Sequence, residues 1–424
     1  MLAFDVHRTV LDNGLTVIIA PDRAVPVVAV NLWYGVGSRN EREGRTGFAH
    51  LFEHMMFQGS AHVPKNRHFE LVERAGGSLN ATTWFDRTNY FETLPSNQLD
   101  LALWLESDRM GWLLPAMTEE KLENQRDVVR NERRQRYDNQ PYGDWDERLQ
   151  RMIYPSDHPY QHTVIGSMED LAEASLDDVA EFFETYYAPN NAVLTLAGDV
   201  DPVEGLARVE EYFAEIPRGA EIPPIPGRIE PGALIGETVR ETVRGAVPLP
   251  RVYVASRIPP FSDDSFYAAD LATSILSDGR ASRLYRRLVR EQGLAKDVVS
   301  YAFPLMTGRS FMVSWITGYP DSDPEALEAG LLGELEALEE VADHEVDRAV
   351  SQAEIRLLRQ VEQLATRADL FSMYEQLFGD ASRLNSELDR LRGVTPDDLR
   401  RFASTTLGPD NRAVLTYLPD EVQS

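Results

Sequence analysis

The spacing of apolar and polar residues changes period several times along the first half of the chain. Residues 7–11 and the apolar run Leu15–Ala20 flank Asp12-Asn13-Gly14. Asn-Gly supplies the positive φ angles of a tight turn, so a β-hairpin is predicted there. Val25–Tyr34 reads as a third strand. Helical spacing follows at Gly47–Gln58, Asn66–Ala75, Gln98–Arg109, Glu119–Tyr137 and Leu176–Tyr187, interrupted by a strand pair around Asn80–Thr93. The pattern predicts an α+β domain ending near Ile216.

Prolines then stand at 217, 223, 224, 226 and 231 in a stretch with little periodicity, which predicts an extended, semi-rigid linker over 217–234. Beyond it the order of elements returns. A strand is predicted at Arg251–Arg257, a helix at Asp264–Leu276, strands between Val298 and Ile316, and helices from Pro324 onward. Asp177-Asp178-Val179 matches Asp397-Asp398-Leu399, Phe182 matches Phe402, and Pro189 matches Pro409. After one inserted residue, Ala192-Val193-Leu194-Thr195 matches Ala413-Val414-Leu415-Thr416. A single long period through a helix, a turn and a strand indicates two copies of one domain rather than a solenoid. The predicted fold is therefore α+β with two homologous domains, residues 1–216 and 235–424, each a mostly antiparallel sheet packed with helices.

Composition narrows the function. A chain of 424 residues is long enough for two cores, and 43% hydrophobic with 26% charged residues is the balance of a soluble globular protein. No stretch reaches the roughly 18 apolar residues of a membrane helix, so no membrane partner is expected. The start, Met1 to His7, has neither a basic region nor an apolar run. The expected compartment is the cytoplasm, or the periplasm if a signal peptide was removed before residue 1. With no cysteine, any metal must be held by His, Asp or Glu. A formal net charge of −27 argues against nucleic acid, because phosphate binding needs clustered Lys and Arg, and it fits basic or neutral partners better.

The sharpest chemical signal is His50-Leu51-Phe52-Glu53-His54. Residues four apart share one face of a helix, so His50 and His54 can present ring nitrogens to one ion about 2.0–2.1 Å away. Glu53 stands close enough to take a proton from water on that ion. Phe48, Leu51, Phe52 and Met55 anchor the helix in the core. In a chain with eight histidines this pattern arises by chance on the order of 0.01 times. A catalytic zinc takes three protein ligands and one open position, so a third ligand is required. Glu119, Glu120, Glu123 and Glu132, all in one predicted helix, are chemically equal candidates, and spacing alone does not choose among them. Gly35-Val36-Gly37 lacks the third glycine of a nucleotide loop and reads as a strand end. His158 reads as a packed loop histidine. His7, His62, His68, His162 and His344 show no ligand spacing.

The inverted motif, the downstream Val128-Val129-Arg130-Asn131-Glu132, the phrase Gly76-Gly77-Ser78-Leu79-Asn80-Ala81-Thr82-Thr83 and the duplicated halves resemble the M16 (pitrilysin and insulinase-like) peptidases over essentially the whole chain. Length and single duplication are similar to the M16B branch, which includes mitochondrial processing peptidase. The resemblance implies a zinc-dependent endopeptidase with His50, His54 and Glu132 as Zn2+ ligands and Glu53 as general base. It implies Asn80, Ala81 and Thr82 as an edge that pairs with extended peptide substrates, and a chamber built from two chains. Gln125 stands where many relatives carry a second glutamate, and its amide can orient the site by hydrogen bonding. Val289 and Lys296 stand where relatives that complete their own site carry an arginine and a tyrosine. A related subunit supplying that pair in a heterodimer is the expected partner, with a homodimer as the alternative. A non-catalytic structural or peptide-binding subunit is the rival reading.

Overall fold

The computed structural model describes residues 2–229 and 232–420. The chain forms two compact units: Met1–Arg133 with His162–Gly227 and Leu358–Glu387, and Arg134–Gln161 with Arg228–Leu357 and Leu388–Ser424. Neither unit is continuous in sequence. The division expected at 216 and 235 follows the repeat, whereas the units follow packing. Residues 134–161 belong to the second unit and 358–387 to the first. Residues 230 and 231 of the expected linker lie outside the described residues, and no helix among the described residues is long and apolar enough to cross a membrane.

The first unit holds a six-stranded sheet. Its strands are β1 (His7–Val10), β2 (Thr16–Pro21), β3 (Val27–Tyr34), β4 (Ser78–Thr83), β5 (Thr88–Pro95) and β6 (Ala192–Gly198), in the order β1-β2-β6-β3-β5-β4. All neighbours are antiparallel except β2 and β6. The predicted hairpin is present, with Gly14 at φ 93° in its turn. β6 is buried at every residue, as a central strand covered on both faces requires. Helix Leu99–Trp112 covers one face of β3 and β5, and helix Leu364–Phe378 packs on β6 and β3 from the other. β4 is one of the two edge strands, and helices Phe48–Met55 and Arg67–Arg74 pack against it.

The second unit holds β7 (Thr238–Gly245), β8 (Arg251–Ile258), β9 (Asp297–Phe303), β10 (Ser310–Thr317) and β11 (Arg412–Pro419), in the order β7-β11-β8-β10-β9. Only β7 and β11 are parallel. Helix Trp145–Ile153 packs on β11 and β8, with the Trp145 ring stacked on Tyr253 at 5.4 Å. Each sheet therefore carries a helix drawn from sequence outside its own half of the repeat. The sequence pattern did not single out helix Trp145–Ile153 or β7.

The repeat is physical. Ser175 and Thr395 both cap their helices through capping boxes with Asp178 and Asp398. After each helix an asparagine closes the end: Asn191 Nδ2 donates to the Tyr186 carbonyl at 2.8 Å and Asn411 Nδ2 to that of Thr406 at 2.7 Å. β6 and β11 follow. The helix predicted over Glu119–Tyr137 is α-helical to Arg133 and continues as a π-helical turn over Arg134–Asp138.

Candidate metal centre

The motif helix Phe48–Met55 begins at Gly47, which has no side chain to cap it and sits at φ 87°. A Cβ there would lie 2.6 Å from the Ile165 carbonyl oxygen, so the chain can pass only as glycine. The missing cap comes from Glu41, buried at 6% exposure, whose carboxylate accepts from the N–H groups of Gly47 at 2.8 Å and Ala49 at 2.7 Å. Acceptors at a helix N-terminus satisfy its orphan donors. Burial pushes the Glu41 carboxyl well up, and the two backbone N–H groups oppose that shift. Phe48, Leu51, Phe52 and Met55 are buried as expected, with Phe52 against Phe183 and Tyr187. That anchoring turns His50 and His54 together toward helix Glu119–Arg133, against which the motif helix packs.

Three donor atoms converge there. His50 Nε2 and His54 Nε2 are 3.3 Å apart, and Glu132 Oε2 lies 3.6 Å from the first and 3.4 Å from the second. Tetrahedral zinc with bonds of about 2.0–2.2 Å requires neighbouring donors about 3.3–3.6 Å apart. The donor set therefore has the right chemistry and the right spacing for that ion. Among the described residues these three form the one group of His, Asp and Glu side chains so arranged.

Glu119, Glu120 and Glu123 do not join them. All three are exposed, and Glu123 pairs with Arg126 and Arg130. Leu122, Gln125, Val129 and Glu132 recur at spacings of three and four along the inward stripe of the helix. Burial in the structure, and not spacing, separates Glu132 from Glu123. Gln125 is buried on the stripe, and its amide donates to Asn124 Oδ1 at 3.0 Å.

Glu53 points to β4, where Thr83 Oγ1 donates to its Oε2 at 2.5 Å. Burial raises the Glu53 carboxyl above its ordinary range, while the Thr83 hydrogen bond and the charges of His54 and Arg87 oppose the shift. Thr83 was within the quoted phrase, yet nothing in the sequence marked it as the residue that holds Glu53. On the edge strand, Asn80 is exposed and its Oδ1 accepts from the Ala81 N–H at 2.9 Å. Thr82 Oγ1 donates to Asn89 Oδ1 at 2.6 Å.

Several of the remaining histidines have local partners. His158 stacks on Tyr154 at 4.4 Å and accepts from the Tyr160 N–H, as a packed loop histidine does. His62 pairs with Asp108, and His162 lies 3.6 Å from Glu41. In the second unit, Val289 is half-buried in the π-helical stretch Tyr285–Glu291. Lys296 is exposed just before β9, with its N–H on the Thr317 carbonyl at 2.8 Å.

Two family models match the chain: "Insulinase (Peptidase family M16)" over residues 16–160 and "Peptidase M16 inactive domain" over residues 173–353. A Helicobacter pylori protein named zinc protease PqqE is 31% identical over 373 residues, covering 87% of this chain and 83% of the relative. A Streptomyces coelicolor protein named as a zinc protease is 26% identical over 417 residues, covering 95% and 87%. The crystal structure of a protease from Helicobacter pylori superposes with a TM-score of 0.91 at 28% identity, covering 99% of this chain and 100% of that one. A Pseudomonas fluorescens structure titled as a peptidase M16 inactive domain shares the fold, with a TM-score of 0.87 at 19% identity over 99% of both chains. With the inverted histidine motif, the paired sheets and these matches, the chain belongs to peptidase family M16.

Proposed function

We propose that this chain is a zinc-dependent endopeptidase subunit acting on extended peptides, with His50, His54 and Glu132 as the metal ligands and Glu53 as general base. The observation that carries the reading is the triangle of donor atoms with edges of 3.3, 3.4 and 3.6 Å beside a half-buried glutamate and an edge strand. Zinc, when bound, acidifies a coordinated water and polarises the peptide carbonyl. Glu53 takes the proton of the attacking water and returns it to the departing amine. Thr83 holds the Glu53 carboxylate in place by donating to the oxygen it contacts, which leaves the other oxygen for the proton.

The substrate reading rests on β4. Hydrogen-bonded and non-bonded pairs alternate along an antiparallel ladder. Counted from the turn bond between the Trp84 N–H and the Arg87 carbonyl, this alternation directs the backbone groups of Leu79, Ala81 and Thr83 to the open edge. An extended peptide can pair there as an added strand, replacing Asn80 Oδ1 at the Ala81 N–H. Recognition through backbone fits a broad peptide specificity. Val289 and Lys296 favour a second chain: neither supplies the planar donor fork of arginine or the hydroxyl of tyrosine, and a related subunit bearing that pair would complete the site.

The test is metal content together with peptide cleavage. One zinc per chain is expected, with cleavage abolished by chelation and restored by zinc. Glu132→Gln should lower zinc occupancy sharply, because it removes a charged ligand oxygen. Full zinc occupancy in Glu132→Gln, or cleavage that persists in the metal-free protein, would refute the assignment.

A further inference from the structure

Helix Leu364–Phe378 belongs to the first unit, although it is encoded after the segment that matches the second family model. Its Asp369 lies against the sheet face opposite helix Leu99–Trp112. One carboxylate oxygen, Oδ1, accepts from Trp33 Nε1 at 2.7 Å, Asn89 Nδ2 at 2.9 Å and Asn31 Nδ2 at 3.3 Å. Asn31 and Asn89 are each 1% exposed, the first in the middle of β3 and the second at the start of β5.

This arrangement decides which way Asn89 faces. A carboxylate only accepts, so the amide nitrogen of Asn89 must turn to Asp369 and its Oδ1 to the other side. There Asn89 Oδ1 accepts from Thr82 Oγ1 at 2.6 Å and from Arg87 Nη1 at 3.1 Å. Arg87 Nη1 also donates to the Thr82 carbonyl at 2.8 Å and to the Thr82 hydroxyl, and its guanidinium lies over the Trp33 ring at 5.3 Å. Burial works against the Arg87 charge and lowers its pKa, and the charge of Asp369 opposes that effect. Thr82 is thus gripped by backbone, hydroxyl and carbonyl, and the next residue, Thr83, holds Glu53.

We propose that Asp369 and Arg87 are positioning residues for the peptide-binding edge: acting through Asn89, they fix the β4–β5 hairpin end in the register that a substrate strand and Glu53 both need. The inference rests on the endopeptidase reading for its kinetic consequence. Its structural consequence stands apart from that reading. A buried polar network with every member satisfied rigidifies the segment it grips, and one wrong partner propagates along it. Asp369, Arg87 and Asn89 are not among the residues assigned to substrate or metal, so they act through Thr82 and Thr83 on the edge.

Asp369→Asn is the test, because it keeps the shape of the side chain while adding an N–H donor where three donors already point. Hydrogen exchange at residues 78–83 is expected to speed up at least about tenfold, the loss scale of a hydrogen bond to a charged group. Exchange in β2 and β6 should stay as in the parent, and zinc content should not change. In cleavage assays KM should rise several-fold more than kcat falls, and Asp369→Glu should recover part of the loss. Arg87→Met should give the same exchange pattern by removing the grip on Thr82. Unchanged exchange at 78–83 in both variants overturns the proposal, as does a KM equal to the parent's in an active enzyme. If the parent itself cleaves no peptide, the endopeptidase reading fails while the exchange comparison still decides this one.

Discussion

Glu53 is the residue on which the proposed chemistry turns, and its surroundings separate its role from that of the ligands. It shares a helix with His50 and His54 but bonds to Thr83 on β4 and not to the metal donors. Glu53→Gln should therefore retain zinc at the parent's stoichiometry and lower peptide cleavage by about 10²- to 10⁴-fold, the usual loss for a general base. Measured zinc together with kcat checks both halves. His68 illustrates a different kind of residue, fully buried and without ligand geometry. Burial beside the Arg109 charge lowers its pKa to about 4, and burial likewise lowers His158 to about 4. The native ring stays neutral while the unfolded ring protonates near its ordinary pKa of about 6.5. Stability is therefore lost as pH falls from about 6.5 toward 4. Unfolding of His68→Leu followed across that range should show a shallower slope than the parent, by up to about 1.4 kcal/mol per pH unit. Equal slopes would mean that His68 titrates alike in both states.

At the scale of elements, helix Leu99–Trp112 stands where helical spacing was expected over Gln98–Arg109, and its burial adds what the pattern does not show. Its polar stretch Glu106-Ser107-Asp108-Arg109 is buried, all four residues being at most 3% exposed. Arg109 is 1% exposed, with its Nε on Glu106 at 2.9 Å, Glu92 at 3.7 Å, and the rings of Tyr90 and Phe57 at 4.1 and 5.2 Å from its guanidinium carbon. The Glu106 carboxyl is held below its ordinary range by Arg109 and its hydrogen bonds against the opposing effect of burial, while burial and the Glu106 charge raise Glu92. One cation thus faces two buried carboxyls whose titrations it shifts apart. Arg109→Met should destabilise the protein by about 3–5 kcal/mol, because it leaves Glu106 charged, buried and unpaired. Adding Glu106→Leu should recover most of the loss in a denaturant titration. Failure to recover would place the cost in packing against Tyr90 and Phe57 instead.

The whole molecule duplicates a domain and then interleaves the copies, so each sheet carries a helix from outside its own half of the repeat. The two copies differ in chemistry. The first bears the triangle of His50, His54 and Glu132 donors, whereas the second has Val289 and Lys296 where the resemblance implies an arginine and a tyrosine. Loss of one donor to developing oxyanion charge commonly costs about 10²- to 10³-fold in rate. The isolated chain should thus turn over peptides about 10²-fold more slowly than a mixture with a related subunit that carries the pair. Titrating such a subunit into the assay checks this. Full turnover by the single chain, with no gain on mixing, would leave Lys296 or another residue of this chain in that role.

His50, Glu53 and His54 were determined by the sequence alone, because three residues within one helical turn share a face whatever the rest of the chain does. The repeat was equally legible, since Ser175–Asp178 and Thr395–Asp398 are local capping pairs that recur with their downstream strands. Glu132 was reached only through the family resemblance, because its 78-residue separation from His54 is closed by packing of two helices. The tertiary structure alone decided the Glu41 cap, the Thr83 bond to Glu53 and the Asp369 network. Each joins residues whose spacing carries no periodic signal, and each forms because a buried donor or acceptor must find a partner wherever the fold brings one within reach.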